Sequence, residues 1–313
     1  MSACLLCGSQ RASPLFNASD RLYHTTRKQF AVVRCGGCGL LRLDPQPPPE
    51  ELRLYYPADY WFAPDKTTAS RLEESYRRVV LRDHVAFVRR ALRESRARGP
   101  LLDVGCGGGL FIHMMRERGL PAMGLDFFSD AAGVAWRDRH APVVCARLEE
   151  APFRGGLAAI TMFHVLEHLH DPRAYLTAAH QLLAPDGRLV VQVPNAASWQ
   201  FHLLGRSWNG VDVPRHLFDF RDRDIEKLLE SCGFQVLRRK YFSLRDNPAG
   251  LASSLAPALD PMARRIWGIR EAPATRLAKD VVYLTLVAAA LPFTLAEAAC
   301  RAGSTVMIEA RRP

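Results

Sequence analysis

Leu101-Leu-Asp-Val-Gly-Cys-Gly-Gly-Gly-Leu-Phe111 decides how the rest of the chain is read. Leu101 to Val104 is a short apolar run, the pattern of a buried strand, and it breaks into glycine at 105, 107, 108 and 109. A helix is expected from about Leu110. Glycine adopts positive φ without strain and leaves bare main chain against which a ligand can lie. The helix that follows turns its free N–H groups and partial positive charge toward the same space. Many nucleotide folds share such a turn, and a strand–helix turn holding no ligand reads the same way. Two details narrow the reading. A dinucleotide fingerprint needs a third glycine at 110, where this chain has Leu, and Asp103 sits inside the strand, two residues before the first glycine. Further on, Met123-Gly-Leu-Asp126 reads as a second strand ending on an acid, where a ribose diol finds a paired acceptor.

Asp103-Val-Gly-Cys-Gly-Gly-Gly109 followed by an acid after the next strand resembles the class I S-adenosylmethionine-dependent methyltransferases. The resemblance implies an α/β fold with a Rossmann-like seven-stranded sheet whose last strand is antiparallel, and S-adenosyl-L-methionine as cofactor. Carried onto this sequence, it implies cofactor contacts from Asp103, Gly105, Cys106, Gly107, Asp126, Phe127 and His164. The family's adenine-binding acid is replaced by Arg147, so Leu148 through its backbone, or Glu149 through its side chain, takes that role. Leu157-Ala-Ala-Ile160 likewise replaces the usual Phe-Asp opening of the fourth strand.

Two CxxC knuckles, Cys4-Leu-Leu-Cys7 and Cys35-Gly-Gly-Cys38, lie 27 residues apart, each followed by glycine. With no leader segment before Cys4, a reducing cytoplasm is expected, where this spacing is more often a metal site than a pair of disulfides. Four thiolates make a closed, structural zinc site of Cys4, Cys7, Cys35 and Cys38; a redox pair or a vestigial site is the alternative. A head of about 48 residues is too small to be held by its core alone, so metal is expected to supply much of its folding energy. The two knuckles, the connector Pro45-Gln-Pro-Pro-Pro49 and Tyr55-Tyr56 together resemble the start of bacterial small-molecule methyltransferases with a zinc-ribbon head, a layout that sugar C-methyltransferases share. The cluster at Asp59-Tyr-Trp-Phe62 is expected over the mouth of an active site or at a joint between domains.

The chain has 313 residues, 24% charged and 48% hydrophobic, and a formal net charge of +10 carried mostly by Arg. That balance favours anionic partners and says nothing of fold. Residues 70 to 98 are expected as one long helix. Leu72, Tyr76, Val79, Val80, Phe87, Val88 and Leu92 form its apolar face, and Arg77, Arg78, Arg82, Arg89, Arg90 and Arg93 a face left to solvent, RNA or membrane.

Phe163-His-Val-Leu-Glu-His-Leu-His-Asp-Pro172 follows the fourth strand. His164, Glu167 and His168 stand at i, i+3 and i+4, one side of a helical turn. They can supply a general base, a divalent-metal site similar to the Glu-x-x-Glu-His of ubiquinone-pathway O-methyltransferases (with His164 in place of the first Glu), or structural contacts. Gly187 to Pro194 is expected as the fifth strand. The segment Trp208-Asn-Gly-Val-Asp-Val-Pro-Arg-His-Leu-Phe218 resembles one in the zinc-ribbon methyltransferases. It offers His216 as a further base and Arg215 for a substrate phosphate or carboxylate. The sixth strand is Phe234 to Phe242 and the seventh Ser304 to Arg311, leaving residues 243–302 as an apolar helical cap before the last strand. Within it, Val281 to Ala296 carries no charge over 16 residues, short of the roughly 20 that a spanning helix needs. A lid over the substrate, membrane-surface contact through residues 264–300 near Arg264, Arg265 and Arg270, or a dimer contact are the readings it permits.

The expectation is methyl transfer from S-adenosylmethionine to oxygen or carbon of a small molecule, such as a sugar, a lipid-linked compound or a secondary metabolite. His164, His168 and His216 are the candidate catalytic bases. Zinc and positive charge suggest an rRNA or tRNA methyltransferase as the rival. The Asn/Asp-Pro-Pro-aromatic signature is missing after the fourth strand, and basic residues do not interleave with aromatics, which argues against nucleic acid. A non-catalytic scaffold with the same fold is the other alternative.

Overall fold

The computed structural model describes residues 3–57 and 68–313, with side chains from residue 73 in the second segment. The Asp59–Phe62 cluster and the Leu72 side chain therefore lie outside the described residues. The strands, in chain order, are β1 (Ala12–Ala18), β2 (Phe30–Cys35), β3 (Leu41–Leu43), β4 (Leu101–Val104), β5 (Ala122–Asp126), β6 (Val143–Cys145), β7 (Leu157–Phe163), β8 (Leu183–Pro194), β9 (Phe218–Asp219), β10 (Gln235–Lys240) and β11 (Thr305–Arg311). They fall into a seven-stranded sheet of order β10-β11-β8-β7-β4-β5-β6 and a four-stranded sheet of order β1-β2-β3-β9. The chain divides into two compact units, one centred on each sheet.

The unit of the larger sheet comprises residues 68–193, 226–245 and 307–313. Strands β4 to β8 pair in parallel, and β11 runs antiparallel to β10. This is the α/β fold with an antiparallel last strand that the resemblance implied. Strands β4 and β7 are apolar and buried along nearly their whole length because helices cover both faces. Leu101, Ile112, Met115, Val88 and Val190 meet in one core. Close packing also explains Gly124 in β5: a Cβ there would stand 2.5 Å from both Cys106 Sγ and Ile112 Cδ1. From β4 the chain proceeds to β5 and β6 on one side, while β7 and β8 lie on the other. A crevice at the carboxyl ends beside β4 is where such sheets bind ligands.

The expected single helix at 70–98 is two, Thr68–Val80 and Arg82–Glu94, interrupted at Leu81. Val80, Leu81, Val85, Val88 and Ala91 are the apolar residues buried, together with His84, whereas Tyr76 and Val79 are about two-fifths exposed. In the second helix His84, completely buried, meets the ring of Phe163 edge-on at 5.0 Å. The periodic pattern spanned a break that it could not register.

The other unit comprises residues 3–57, 194–225 and 246–306. Its sheet is antiparallel throughout, and β3 is completed by β9, with Leu41 opposite Asp219 and Arg42 opposite Phe218. Val32, Leu41 and Leu43 form its buried face. Arg215 is wholly buried here. Its guanidinium donates to both carboxylate oxygens of Asp20 and of Asp212 and to the Tyr55 carbonyl, and it lies 4.5 Å from the centre of the Tyr23 ring. A buried cation so engaged is structural, and the expected meeting with a substrate anion is not open to it. The segment after β10 forms the helices Asn247–Leu255, Pro261–Ile266 and Pro273–Ala299. The last runs for 27 residues with Pro292 inside, well beyond the 16-residue uncharged run.

Candidate functional site

The glycine turn after β4 is shaped by positive φ at Gly105, Gly107 and Gly109. At Gly105, φ is 72° and a Cβ would fall 2.6 Å from Val165 Cγ2, so both conformation and space demand glycine. The amides of Gly105 and Cys106 donate to the Leu125 carbonyl at 2.8 and 3.2 Å, which draws the turn onto the end of β5. Asp126, 3% exposed, completes it. One carboxylate oxygen accepts from the Gly107 amide at 2.8 Å and the other from the Phe128 amide at 2.9 Å. Each oxygen keeps a further lone pair, the form of acceptor that a pair of ribose hydroxyls needs.

Asp103 is buried one strand away and accepts from Thr161 Oγ1 at 2.6 Å. Burial, helped by the neighbouring Asp126 charge and opposed by Thr161 and Arg245, raises its carboxyl to about 7. Burial also raises Asp126, against the pull of its amide donors. Two carboxyls that resist ionisation, side by side at the crevice, form a site that favours a cationic ligand. Cys106 is buried and its thiol is pushed up by burial and by both carboxylates, so it stays neutral and packs.

Phe127, 39% exposed, follows Asp126, and the Arg147 guanidinium lies 5.3 Å from its ring centre. Leu148 is buried and Glu149 exposed, in a single 3₁₀ turn after β6. Aromatic ring, apolar side chain and backbone amides are thus the materials present where an adenine is expected.

At the end of β7, His164 takes φ of 56°, a left-handed conformation uncommon for a side chain of this size. It therefore precedes the turn, and Leu166–His168 alone form a 3₁₀ turn. His164 Nδ1 stands 3.2 Å from Glu167 Oε1, and Gln192 Nε2 stands 2.8 Å from His164 Nε2. The amide N–H₂ can only donate, so Nε2 accepts and Nδ1 carries the proton toward Glu167. Glu167 is 1% exposed and His168 partly exposed on the same turn. Gln192 and Thr161 are the residues that reading for motifs missed. Their signal was present, since Thr161 is the lone polar residue of β7 and Gln192 interrupts the buried apolar run Leu189–Val193 of β8.

His216 belongs to the other unit. Its Nδ1 lies 2.8 Å from the Gly210 carbonyl, which can only accept, so the proton sits there and Nε2 is the basic nitrogen.

The four cysteines Cys4, Cys7, Cys35 and Cys38 come together in this same unit, their sulfurs all within 4.8 Å of one another. Cys4 Sγ is 3.6 Å from Cys38 Sγ and Cys7 Sγ is 3.5 Å from Cys35 Sγ. Those separations are far beyond a disulfide bond and close to the edge, roughly 3.8 Å, of a tetrahedron of sulfurs around zinc. Amides of Leu6 and Cys7 point at the Cys4 sulfur, and those of Gly37 and Cys38 at Cys35. Gly8 and Gly39, both at positive φ, donate back to the carbonyls of Cys4 and Cys35 and close each knuckle.

Comparison with known proteins bears on residues 74–239, which match the family described as a methyltransferase domain. The ubiquinone biosynthesis O-methyltransferase of Cronobacter sakazakii is 31% identical over 173 residues, covering 51% of this chain and 70% of that protein. Its counterpart in Erwinia tasmaniensis is 30% identical over the same length and shares. Among solved structures, a SAM-dependent methyltransferase from Archaeoglobus fulgidus aligns over 76% of this chain and 94% of its own, at 19% identity and a TM-score of 0.48.

Proposed function

The chain belongs to the methyltransferase-domain family and is an S-adenosylmethionine-dependent methyltransferase, and from that premise we propose that it methylates an oxygen or activated carbon of a small molecule. The observation that carries the reading is Asp126, pinned through Gly107 and Phe128 beside buried Asp103 at the ends of adjacent parallel strands. The residues present fit the cofactor. Asp126 takes the ribose hydroxyls, the bare turn Gly105-Cys106-Gly107 admits the amino-acid part, and Asp103 opposes its positive charge. Phe127, Leu148 and Glu149 border the adenine, and His164, fixed by Gln192 and Glu167, closes the methyl end.

When bound, S-adenosylmethionine supplies an electrophilic methyl group. The protein contributes position, by holding the acceptor in line, and a base where a hydroxyl is attacked. Of His164, His168 and His216, His216 holds Nδ1–H against the Gly210 carbonyl and sets Nε2 4.0 Å from Asp212 Oδ2, an arrangement in which a nearby carboxylate supports a proton taken up at Nε2. His164 has both ring nitrogens engaged and suits positioning; His168 is the remaining candidate. Cys4, Cys7, Cys35 and Cys38 would hold one structural zinc with no open position.

Calorimetry with S-adenosylmethionine and its demethylated product tests the cofactor site. Micromolar binding is expected, weakened at least about tenfold by Asp126→Ala, the value of one lost charge-assisted contact. A wild-type chain that binds neither compound would sink the reading. His216→Gln should keep that binding while lowering turnover by about a hundredfold or more.

A further inference from the structure

The helix Pro273–Ala299 has two faces of opposite character. Tyr283, Ala290, Thr294 and Glu297 are buried beneath it. Tyr283 Oη lies 2.9 Å from Ser253 Oγ, while Glu297 Oε1 accepts from Gln200 Nε2 at 2.7 Å and from the Ser304 amide at 3.2 Å. On the outer face, Leu277, Val281, Leu284 and Leu295 are each at least half exposed, with exposed Ala288 between them. They recur at helical spacing over about 27 Å, and no charged residue interrupts Val281 to Ala296. An open apolar stripe of that length is more than a water-facing surface ordinarily carries. It is continued by Trp199, 38% exposed and 6.1 Å from the Phe293 ring, and by Leu203, which is 71% exposed.

The charges at its rim are mostly of one sign. Arg270 and Arg276 before the helix midpoint and Arg301 beyond its end are exposed. Of the acids between residues 271 and 301, Glu297 is buried and Glu271 pairs with Arg264 and Lys279. Asp280, about a third exposed, pairs with Arg264 and lies 4.0 Å from Arg276, which leaves Arg270 and Arg301 as the stronger contributors. Arg264, expected at the surface, is thereby buried and withdrawn from the rim.

We propose that this face rests on an anionic lipid surface, with the helix in the plane of the interface. The leucine stripe and Trp199 enter the boundary between headgroups and acyl chains, and Arg270, Arg276 and Arg301 meet lipid phosphates. The helix is long enough to span, about 40 Å for its residues. Its underside prevents that, because leaving the body would carry the Glu297 carboxyl, stripped of Gln200 and Ser304, into hydrocarbon. A second copy of the chain is a poorer occupant. It would set two chains of net charge +10, and the same arginine rim, against each other.

Flotation of the full-length protein with phosphatidylcholine vesicles, with and without phosphatidylglycerol, tests this. Binding is expected to the anionic vesicles and to fall as salt rises. The double variant L284E/L295E should lower the bound fraction at least about tenfold, since two buried leucines become charges. Its circular dichroism and its affinity for S-adenosylhomocysteine should not change, which separates this outcome from failure of the methyltransferase site. No flotation with anionic vesicles, or equal flotation of the variant, overturns the proposal. So does a wild-type dimer in sedimentation that the same substitutions dissolve without any vesicle binding.

Discussion

Asp103 is where a single side chain has the most consequence. Its carboxyl, raised to about 7 by burial, takes up a proton more readily in the folded chain than in the unfolded one. Its contribution to stability is therefore full below the ordinary carboxylate range and is lost as pH rises through about 7. A cation bound against it favours the ionised form, so binding S-adenosylmethionine at about pH 6 should release a proton. Titration calorimetry in two buffers of different ionisation heat reads that release directly. Asp103→Asn should abolish it, and the affinity of the unaltered protein should climb with pH until Asp103 is ionised. The positions of Asp103 and Asp126, on adjacent strands beside the glycine turn, were legible from the apolar runs that precede each acid. The tautomers of His164 and His216 were not, since the partners that set them, Gln192 and Gly210, come from other strands and loops.

At the scale of elements, the strand–turn–helix unit followed from an apolar run and glycine positions, while the seven-stranded sheet with its antiparallel last strand followed from the family resemblance that those residues carry. The division of the long helix before β4 did not, because a break at the single residue Leu81 leaves the local periodicity on either side intact. The knuckles are the opposite case, in which spacing alone specified a geometry of four convergent sulfurs. Holding them costs conformational entropy that the small sheet beside them is ill placed to offset, and metal binding in such peptides contributes about 10–16 kcal/mol. The protein as purified should carry one zinc per chain by elemental analysis. Cys35→Ser should lose it, together with ordered structure in β1 to β3, seen as lost amide protection in hydrogen exchange. Retention of both without metal would show the sulfurs to be packing only.

For the molecule as a whole, two compact units are built from interleaved stretches of one chain. Each has its own sheet, and on the proposals above each would have its own means of stabilisation: a nucleoside cofactor for the larger, metal for the smaller. Scanning calorimetry should show two transitions. S-adenosylhomocysteine should raise one and a strong chelator lower the other, and a single transition that moves with both would reject the division. Net charge and composition had bounded none of this. They are averages over residues such as Arg215 and Arg264, whose charges are neutralised inside, and others that stay outside.

The pairing of β3 with β9 brings together segments more than 170 residues apart in the sequence. During synthesis the knuckles leave the ribosome well before Phe218 and Asp219, and their sheet lacks its last strand until those residues have emerged. A metal held by the four sulfurs, as proposed above, would be what steadies the head over that interval. On that proposal a cell short of zinc should accumulate less of this protein, through loss while it is being made.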